Sequence, residues 1–582
     1  VVVSIIDSAG RVWATNNDYL GDADSFVAWK APHAGKFVAK IHDLAYQGSP
    51  KHYYRLTVGQ VPYVTGIHPV SIPVGSESKI SLFGPNVPAD AAVSIKGEQA
   101  GEVPVPMDGR LMRTRRTMSV AAVPVTVVEV EPNDQVAQSS TLLAPGEVAG
   151  RFERPGDEDY FAVDLSKDQS WIFEIDSARR GWDVDTRIDV LHADGSPIER
   201  TWLVATRDSY VEFRGIDSAQ LEIRCKSWQE MELNQYLYMN GEVGKLFRHP
   251  RGPDSGFLFY SVAGQRRTYF DTSSSTHALE DPVYIVEPVR PGTSVVPNGL
   301  PIFKLTYSND DGSDRRLKGD SQIFFTPPAD GRYLIRVVDV RGVGSTEMPY
   351  RLMARRPAPD FFVSIDDRRP TLHKGSGREV VVRVDRRDGF DGSIDVSVSG
   401  LPTGLSISQP IQIEAGHEAA SAVMTVAADA PAPSAEAWSQ VKVIARTMID
   451  GSPIEKPVMA WEAIGLAESP PIKVRIEPAH IVLAPGGTVS AKLIIERPSH
   501  QDQVTFEMPG LPHGVIVDNI GLNGILIPKG ETEREFFLNA RPFVEETDRL
   551  FFARSNEVGA QASGAVNLSI RRPSEVATGP TP

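Results

Sequence analysis

The sequence predicts an all-β fold, organised as a multidomain string of antiparallel β-sandwiches. Its 582 residues correspond to about four domains at roughly 150 residues each. Apolar and polar residues alternate in segments such as 379–385, 394–399 and 473–477, which is typical of strands with one face on a core and one face in water. The 48 glycines and 45 prolines separate these short strands, and segments at helical period are nearly absent. The best helix candidate is 227–239.

Composition narrows the class of protein. The net charge is −15, from 75 acidic and 60 basic residues, so we expect no nucleic-acid partner, because such binding needs a basic face. The single cysteine, Cys225, cannot form an internal disulfide or a cysteine-based zinc site, and we expect it to be a small buried apolar residue. No apolar run reaches the roughly 20 residues of a membrane helix.

A long repeat links the beginning of the chain to its middle. Asp24 and Asp320, like Leu56 and Leu352, are separated by the same 296 positions. Between those limits both copies contain, without a gap, Asp-Ser, Pro-x-x-Gly followed by a basic and an aromatic residue, then Asp, Gly-Ser and Tyr-Arg-Leu. A gapless match of this kind predicts two homologous modules.

The two copies differ in what precedes them. The second copy has a long first half, from about residue 129 to 200, whereas the first copy has none. A half sandwich would leave an unpaired sheet edge and an open core. We therefore expect residues 1–60 to be the second half of a truncated module and further sequence to lie upstream, since the chain begins without a methionine or signal peptide.

A second repeat lies near the C-terminus. Residues 399–405 read S-G-L-P-T-G-L and residues 509–515 read P-G-L-P-H-G-V, and each is followed by a strand, a glycine turn and another strand. This spacing fits two tandem immunoglobulin-like (Ig-like) sandwiches of about 100 residues, which we place at 357–468 and 469–573. The tail, 574–582, is rich in Pro, Thr and Gly, and we expect it to be disordered.

Residues 61–128 form a smaller unit. The segment 62–69 reads P-Y-V-T-G-I-H-P, and 80–87 reads I-S-L-F-G-P-N-V. This opening resembles that of the Ig-like TIG domains, which implies an Ig-like/TIG-like sandwich at 61–128.

The most specific motif begins at Glu129. Residues 129–134 read E-V-E-P-N-D, a Pro-Gly turn follows at 145–146, and 156–161 read G-D-E-D-Y-F. This order resembles the bacterial pre-peptidase C-terminal (PPC) domain over 129–200 and again over 301–356. The resemblance implies a jelly-roll-like sandwich at 129–356 with an insertion at about 203–300, and it makes residues 1–60 the second half of a truncated PPC-like module. The mixture of domains is similar to large exported proteins of planctomycete-type bacteria.

The PPC resemblance also implies a calcium site. The collagen-binding domains of clostridial collagenases are similar to this family, and they hold calcium with acidic residues of the entry segment and of the D-x-D-Y turn. Carried over, the candidate ligands are Glu129, Glu131, Asn133, Asp134, Asp157 and Asp159. Calcium takes six to eight oxygen ligands from carboxylates and carbonyls on adaptable loops. The alternative is a solvated acidic turn with an Asx cap.

Two other polar clusters call for structural interpretations. The segment 309–314 with Asp320 resembles an EF-hand loop only superficially, because no glutamate stands at the twelfth position. We predict a turn there, with a role as secondary calcium ligands as the alternative. In the insertion, Asn240-Gly241 predicts a hairpin over 236–243, and its aromatic residues are expected to form a core. Four further residues could be drawn as a metal or acid–base site but lack a recognised spacing: Asp271, His277, Glu280 and Asp281.

No complete set of catalytic motifs is present, because Ser76 and Lys79 satisfy S-x-x-K without the S-D-N and K-T-G partners. The sequence contains no G-x-S-x-G, H-E-x-x-H, Walker or G-x-G-x-x-G pattern. The first hypothesis is therefore a non-catalytic accessory or adhesion region of a secreted or cell-surface protein, stabilised by calcium and binding an extracellular protein or polysaccharide. The alternatives are a structural spacer, and the C-terminal appendage of a secreted peptidase whose catalytic domain lies upstream.

Overall fold

The computed structural model describes residues 1–19, 23–106, 116–122, 126–250, 255–313, 315–518 and 524–572. The predicted disordered tail, 574–582, lies outside these residues. The described chain is built almost wholly from β-strands, which confirms the all-β fold class, and its one α-helix in these ranges is the short Ala435–Ser439. No helix of the described residues has the length and apolar character needed to cross a membrane.

The first unit is a three-stranded sheet. Its strands are β1 (Val2–Asp7), β2 (Val12–Asn16) and β3 (Phe37–His42). The order is β2-β1-β3, and both pairs are antiparallel, so β3 lies at one edge of the sheet. Residues 53–59 follow β3 without forming a strand.

The second unit contains two small sheets. Its strands are β4 (Gly66–His68), β5 (Ser71–Pro73), β6 (Glu77–Phe83), β7 (Ala92–Lys96), β8 (Gly101–Pro104) and β9 (Thr117–Ala121). They form the sheets β4-β6-β7 and β5-β9-β8. Buried residues of this unit, including Val64 and Ile72, share one hydrophobic core with Phe152 and Tyr350 of the following module. The two units are therefore packed together as one body.

The complete module and its insertion follow. Their strands in chain order are β10 (Thr126–Val128), β11 (Ser140–Thr141), β12 (Gly146–Arg151), β13 (Glu158–Leu165), β14 (Trp171–Asp176), β15 (Thr186–His192), β16 (Glu199–Tyr210), β17 (Glu222–Ile223), β18 (Tyr236–Met239), β19 (Glu242–Arg248), β20 (Phe257–Phe259), β21 (Ser261–Val262), β22 (Gln265–Arg266), β23 (Pro282–Val289), β24 (Ile302–Thr306), β25 (Ser308–Asn309), β26 (Gln322–Phe325), β27 (Gly331–Asp339) and β28 (Pro349–Arg355).

Two five-stranded sheets form the sandwich of this module. One has the order β10-β12-β28-β14-β26 and the other β11-β13-β27-β15-β25. In each sheet two strands from before the insertion lie side by side at one edge, and from the second of them onward strands from before and after the insertion alternate. Trp171, Phe173, Ile335 and Leu352 are among the buried residues between them. The module therefore closes only when its sequence-distant halves meet.

The insertion has its own sheet, in the order β17-β20-β19-β18-β23-β16-β24. The hairpin β18–β19 turns at Asn240 and Gly241, which have φ angles of 44° and 100°, so the predicted hairpin is confirmed. The helix expected at 227–239 is wrong, because only residues 228–230 form a 3-10 turn and β18 follows. Leu237 on one face of β18 and Tyr238 on the other pack into different clusters, which favours a strand over a helix.

A fully buried ionic group lies inside the insertion. Glu242, Arg266 and His277 all have side chains that are 0% exposed. Arg266 Nη2 lies 2.8 Å from Glu242 Oε2, and His277 Nε2 lies 2.9 Å from the same oxygen. The Ser275 amide also donates to it at 2.9 Å. The charge of Glu242 is therefore met on three sides by donors.

The first C-terminal sandwich contains ten strands. They are β29 (Asp360–Ile365), β30 (Thr371–His373), β31 (Gly377–Arg387), β32 (Ile394–Ser399), β33 (Leu405–Ile407), β34 (Ile411–Ile413), β35 (Ala419–Val426), β36 (Lys442–Ile449), β37 (Ser452–Val458) and β38 (Gly465–Ala467), with α1 (Ala435–Ser439) between β35 and β36. The strand predicted at 394–399 is confirmed as β32. The Ser434 hydroxyl caps α1 by accepting from the Ala437 amide at 3.2 Å.

Within residues 469–518 and 524–572, the second C-terminal sandwich contains eleven strands. They are β39 (Lys473–Glu477), β40 (His480–Leu483), β41 (Thr488–Glu496), β42 (Val504–Glu507), β43 (Val515–Asp518), β44 (Ile525–Ile527), β45 (Glu533–Ala540), β46 (Thr547–Phe551), β47 (Arg554–Ser555), β48 (Gln561–Ala562) and β49 (Val566–Ile570). The strand predicted at 473–477 is confirmed as β39.

The two C-terminal sandwiches share a sheet. β31 of the first pairs antiparallel with β48 of the second, through Gly377 opposite Ala562. The Ser376 hydroxyl donates to Gln561 Oε1 at 2.6 Å beside this pair. The insertion also contacts the first sandwich, because the Gly264 amide donates to Glu418 Oε1 at 2.9 Å. The chain from the insertion onward is thus held together by contacts between units.

Candidate metal centre

The entry segment of the complete module is held against two strands. It follows β10, which pairs in parallel with β12, and the Glu129 amide donates to the Ala149 carbonyl at 3.2 Å. Farther on, the Tyr160 amide donates to the Asn133 carbonyl at 3.1 Å. Because the segment is fixed at both ends, its acidic side chains lie beside the start of β13, where Asp159 is found.

Three carboxylates converge at this point. Glu129, Glu131 and Asp159 each contribute one oxygen, and these oxygens lie within 4.8 Å of one another. Asp159 is 0% exposed. The Tyr350 hydroxyl, from β28, donates to Asp159 Oδ2 at 2.5 Å and lies 3.5 Å from Glu129 Oε2. Oxygens this close suit a shared hard cation such as calcium.

The electrostatics of the three carboxylates show how costly their joint ionisation is. Burial, followed by the charge of Asp159, raises the pKa of Glu129 to about 10. Burial also raises the pKa of Asp159 well above its usual range, against the lowering effect of the Tyr350 hydrogen bond. Burial raises the pKa of Glu131 as well. The cluster therefore needs either protons or a cation to offset its charge.

Several buried polar atoms at the site have no hydrogen-bond partner within the described residues. Asn133 is 0% exposed, yet neither its side-chain oxygen nor its nitrogen is hydrogen-bonded. Glu131 Oε1 and Asp159 Oδ1 are unpartnered in the same way. Because buried polar atoms are nearly always hydrogen-bonded, these oxygens fit the requirements of a metal ligand set.

The remaining two sequence-predicted ligands meet an arginine instead. Asp134 is paired with Arg154, whose hydrogen bond lowers the pKa of that carboxyl. Asp157 Oδ1 lies 3.2 Å from Arg154 Nη1, and Asp157 Oδ2 accepts from the Glu153 amide at 2.6 Å. Of the six predicted residues, three therefore converge, Asn133 adjoins them, and Asp134 and Asp157 lie at the arginine.

Tyr350 was not among the sequence-predicted site residues. It lies 191 positions after Asp159 and belongs to the other half of the module. A signal was available, because the Tyr-Arg-Leu at 350–352 is one of the repeated elements that also occurs at 54–56. The repeat alone does not show that the tyrosine hydroxyl faces a carboxylate.

The other polar clusters are occupied by structural contacts. In the insertion, Asp271 is paired with Arg200. His277 Nε2 lies 2.9 Å from Glu242 Oε2, and His277 Nδ1 lies 4.0 Å from Asp281 Oδ2. Asp320 Oδ1 accepts from the amides of Ser177 and Ala178, at 2.9 and 2.6 Å, and thereby fixes a turn. Of the segment 309–314, Asp314 lies outside the described residues.

Cys225 is buried, with 0% exposure, which confirms its predicted place in a core. Burial raises the pKa of its thiol to about 12. It packs with Val211, Met231 and Leu246 in the core of the insertion. A protonated, inaccessible thiol is a poor nucleophile.

Comparisons with known proteins give distant likenesses only. No family model matches the chain, and no curated protein matches it. Similar solved structures include domains 4 and 5 of the S-layer protein SbsC, at 14% identity and a TM-score of 0.14, over 22% of this chain and 63% of that one. The Yersinia pseudotuberculosis adhesin InvE matches at 12% identity and a TM-score of 0.14, over 37% of this chain and 60% of that one.

A third likeness is to the D0-D1 domain of intimin, at 13% identity and a TM-score of 0.14, over 36% of this chain and 97% of that one. The chain spans less than two thirds of the SbsC and InvE structures, namely 63% and 60% of their lengths. At these identities and scores, the likenesses carry no inference about what this chain does.

Proposed function

We propose that this chain is a non-catalytic accessory or adhesion region of a secreted or cell-surface protein, stabilised by calcium and binding an extracellular protein or polysaccharide. The observation that carries the calcium part is the convergence of Glu129, Glu131 and Asp159 within 4.8 Å, beside the buried side-chain amide of Asn133, which has no hydrogen-bond partner within the described residues. These oxygens match the ligand type that calcium takes.

The ion would hold together parts of the module that are distant in sequence. Glu129 and Glu131 belong to the entry segment, whereas Asp159 lies on β13 and is hydrogen-bonded to Tyr350 of β28. A cation held by the three carboxylates would offset a repulsion that otherwise opposes closure of the sandwich. Binding to the folded state alone would stabilise it by about 2.7 kcal/mol when free calcium is 100-fold above Kd.

The test is thermal unfolding of the full chain in excess EGTA and in millimolar calcium. We expect calcium to raise the midpoint for the module by about 5–10 °C, from the free energy above and the usual entropy of unfolding. Asp159→Asn should abolish the shift without lowering the midpoint in EGTA, because protons offset the charge of the cluster when no ion is bound and the amide oxygen can still accept from the Tyr350 hydroxyl. Asp164→Asn is the matched control, since Asp164 lies on the same strand with its side chain 70% exposed.

The result that would overturn the calcium proposal is an equal midpoint in EGTA and in calcium for the parent chain. A shift that persists in Asp159→Asn would instead locate the ion elsewhere. Either outcome would mean that the acidic residues of the entry segment only form a turn. The C-terminal units would then be the main source of function.

A second candidate function, a rigid spacer, is supported by the sheet that the two C-terminal sandwiches share. Pairing of β31 with β48 restrains the two domains against each other, which suits a structural support. Pull-down on collagen, peptidoglycan and polysaccharides separates the two functions. Retention of the full chain on one of these polymers favours the binding protein, and retention on none favours the spacer.

A further inference from the structure

The first unit reproduces three of the five strands of one sheet of the complete module. β1 pairs with β3 and with β2, as β15 pairs with β27 and with β25. The registers also agree, because Asp7 lies opposite Phe37 and His192 lies opposite Tyr333, 296 positions after Phe37. The sheet β2-β1-β3 is therefore the counterpart of β25-β15-β27.

The same turn follows the last strand of each copy. Asp43 Oδ1 accepts from the Ala45 amide at 2.9 Å, and Asp339 Oδ1 accepts from the Arg341 amide at 3.0 Å. The two aspartates hold the same place in the repeat. The structural correspondence thus extends beyond the strands and into the loop that leads to the last element.

The outer edge of β3 has no neighbour within the described residues. In the complete module, β27 pairs with β13 on that side, but the sheet of the first unit ends at β3. Burial differs accordingly, since Val38 is 51% exposed and its counterpart Leu334 is 2% exposed. An exposed edge with an apolar residue on it is a site for strand addition.

The last element of the repeat is left unpaired in the first unit. Residues 349–355 form β28 between β12 and β14, and in this strand Tyr350 and Leu352 are both 0% exposed. Their counterparts Tyr54 and Leu56 are 66% and 44% exposed, and Val58 is 80% exposed. Within the described residues, no amide of 53–59 donates to a backbone carbonyl. Three apolar side chains at alternate positions therefore stand in water.

From these observations we infer that β3 and residues 53–59 are the docking surface for a polypeptide half-module. This occupant supplies counterparts of β12, β13 and β14, of which two flank residues 53–59 and one pairs with the edge of β3. Main-chain hydrogen bonds would provide affinity, and pockets for Tyr54, Leu56 and Val58 would provide register. The occupant also carries a carboxylate at the position of Asp159, because Tyr54 stands where Tyr350 bonds that residue. The docking itself does not depend on calcium.

The test uses the full chain with an added N-terminal segment. In the complete module, Thr186 lies opposite Asp339, whose counterpart in the first unit is Asp43. Val2 lies opposite His42, so the preceding residue, Val1, is in register with Asp43. Val1 therefore takes the place of Thr186. A copy of residues 126–185 joined directly to Val1 therefore continues the strand in register. The readout is hydrogen exchange at the amides of 53–59, compared between the parent chain, this hybrid and a hybrid whose added segment has the same composition in shuffled order.

We expect these amides to exchange at nearly unstructured rates in the parent chain and in the shuffled hybrid. In the ordered hybrid their exchange should slow by about 100-fold or more, as it does for strands whose amides exchange only when the whole module unfolds. No slowing in a hybrid whose residues 349–355 remain protected would overturn the inference. So would protection in the parent chain that grows with protein concentration, because the occupant would then be a second copy of the chain.

A pair of matched variants decides the question if the hybrid does not fold. Leu56→Asp in the parent chain should leave the thermal midpoint within about 1 °C, because Leu56 faces water, whereas Leu352→Asp should lower it by many degrees by burying a charge. Equal losses in the two variants would show that residues 53–59 are already packed, and would overturn the inference.

Discussion

The buried ionic group of the insertion gives a sharp prediction about stability. Glu242→Gln removes the carboxylate that Arg266 and His277 share, while both partners keep their places. Because all three side chains are 0% exposed, water cannot replace the lost partner. Although burial acts to raise it, hydrogen bonds from Arg266 and His277 lower the pKa of Glu242 overall, so the group is ionised in the folded state at neutral pH.

The expected cost follows from the desolvation of Arg266. Breaking a buried ion pair by removing one partner costs about 3–5 kcal/mol, since it leaves an uncompensated charge. An exposed pair costs less than about 1 kcal/mol, and Arg446–Glu455, with side chains 46% and 58% exposed, is such a pair. Removing both charges with Glu242→Gln and Arg266→Met should cost less than Glu242→Gln alone.

The assay is native-state hydrogen exchange at the amides of β18 and β23, because unfolding of a multidomain chain is not a two-state process. Glu242→Gln should speed their exchange by roughly 100- to 4,000-fold, at about 1.4 kcal/mol for each factor of ten. Because folding lowers the pKa of Glu242 below its ordinary value of 4.5, the stability that this carboxylate contributes is present above pH 4.5 and is lost as the pH falls further. The difference in exchange rate between the parent chain and Glu242→Gln should therefore shrink in acid. An effect no larger than that of Glu455→Gln would refute the reasoning.

Three further predictions concern separate parts of the chain. Burial lowers the pKa of His417 and of His513 from 6.5 to about 4. Between pH 4 and 6.5 the unfolded chain therefore binds more protons than the folded chain, so the thermal midpoint should fall as the pH drops through this range. The fall should be smaller in the double variant that carries His417→Phe and His513→Phe. Gly150→Ala should destabilise the complete module by about 1–3 kcal/mol in urea, because the new Cβ would lie 2.3 Å from a tyrosine ring. Gly564→Ala, in open space, is its control, and an equal effect would contradict the packing argument. Cys225 should react with a thiol reagent such as DTNB only after unfolding, and rapid native labelling would show that its core opens.

Local patterns were sufficient to predict much of the fold. The alternation at 394–399 and 473–477 predicted β32 and β39 with their bounds, because period 2 is a property of a single strand. The Asn240-Gly241 pair predicted its hairpin because the turn chemistry is equally local. The acidic entry segment likewise identified Glu129, Glu131 and Asp159 as a candidate group before their side chains were placed.

Features that depend on distant contacts were not predictable from one sequence. Tyr350 joins the carboxylates through a strand from the other half of the module, which no spacing within the entry segment reveals. The segment 227–239 gave a helical expectation because β18 is apolar on both faces, and the two cores that cover it come from different parts of the insertion. The pairing of β31 with β48 also depends on how two separate domains meet.

The sheet shared by the two C-terminal sandwiches has an evolutionary consequence. Proteins built from independently folding domains become longer or shorter when recombination duplicates or deletes one domain. Here the loss of either domain would expose the β31–β48 seam, where Gly377 lies opposite Ala562, and leave an open sheet edge. The pair is therefore expected to be inherited and exchanged as one unit, with its linker length held constant.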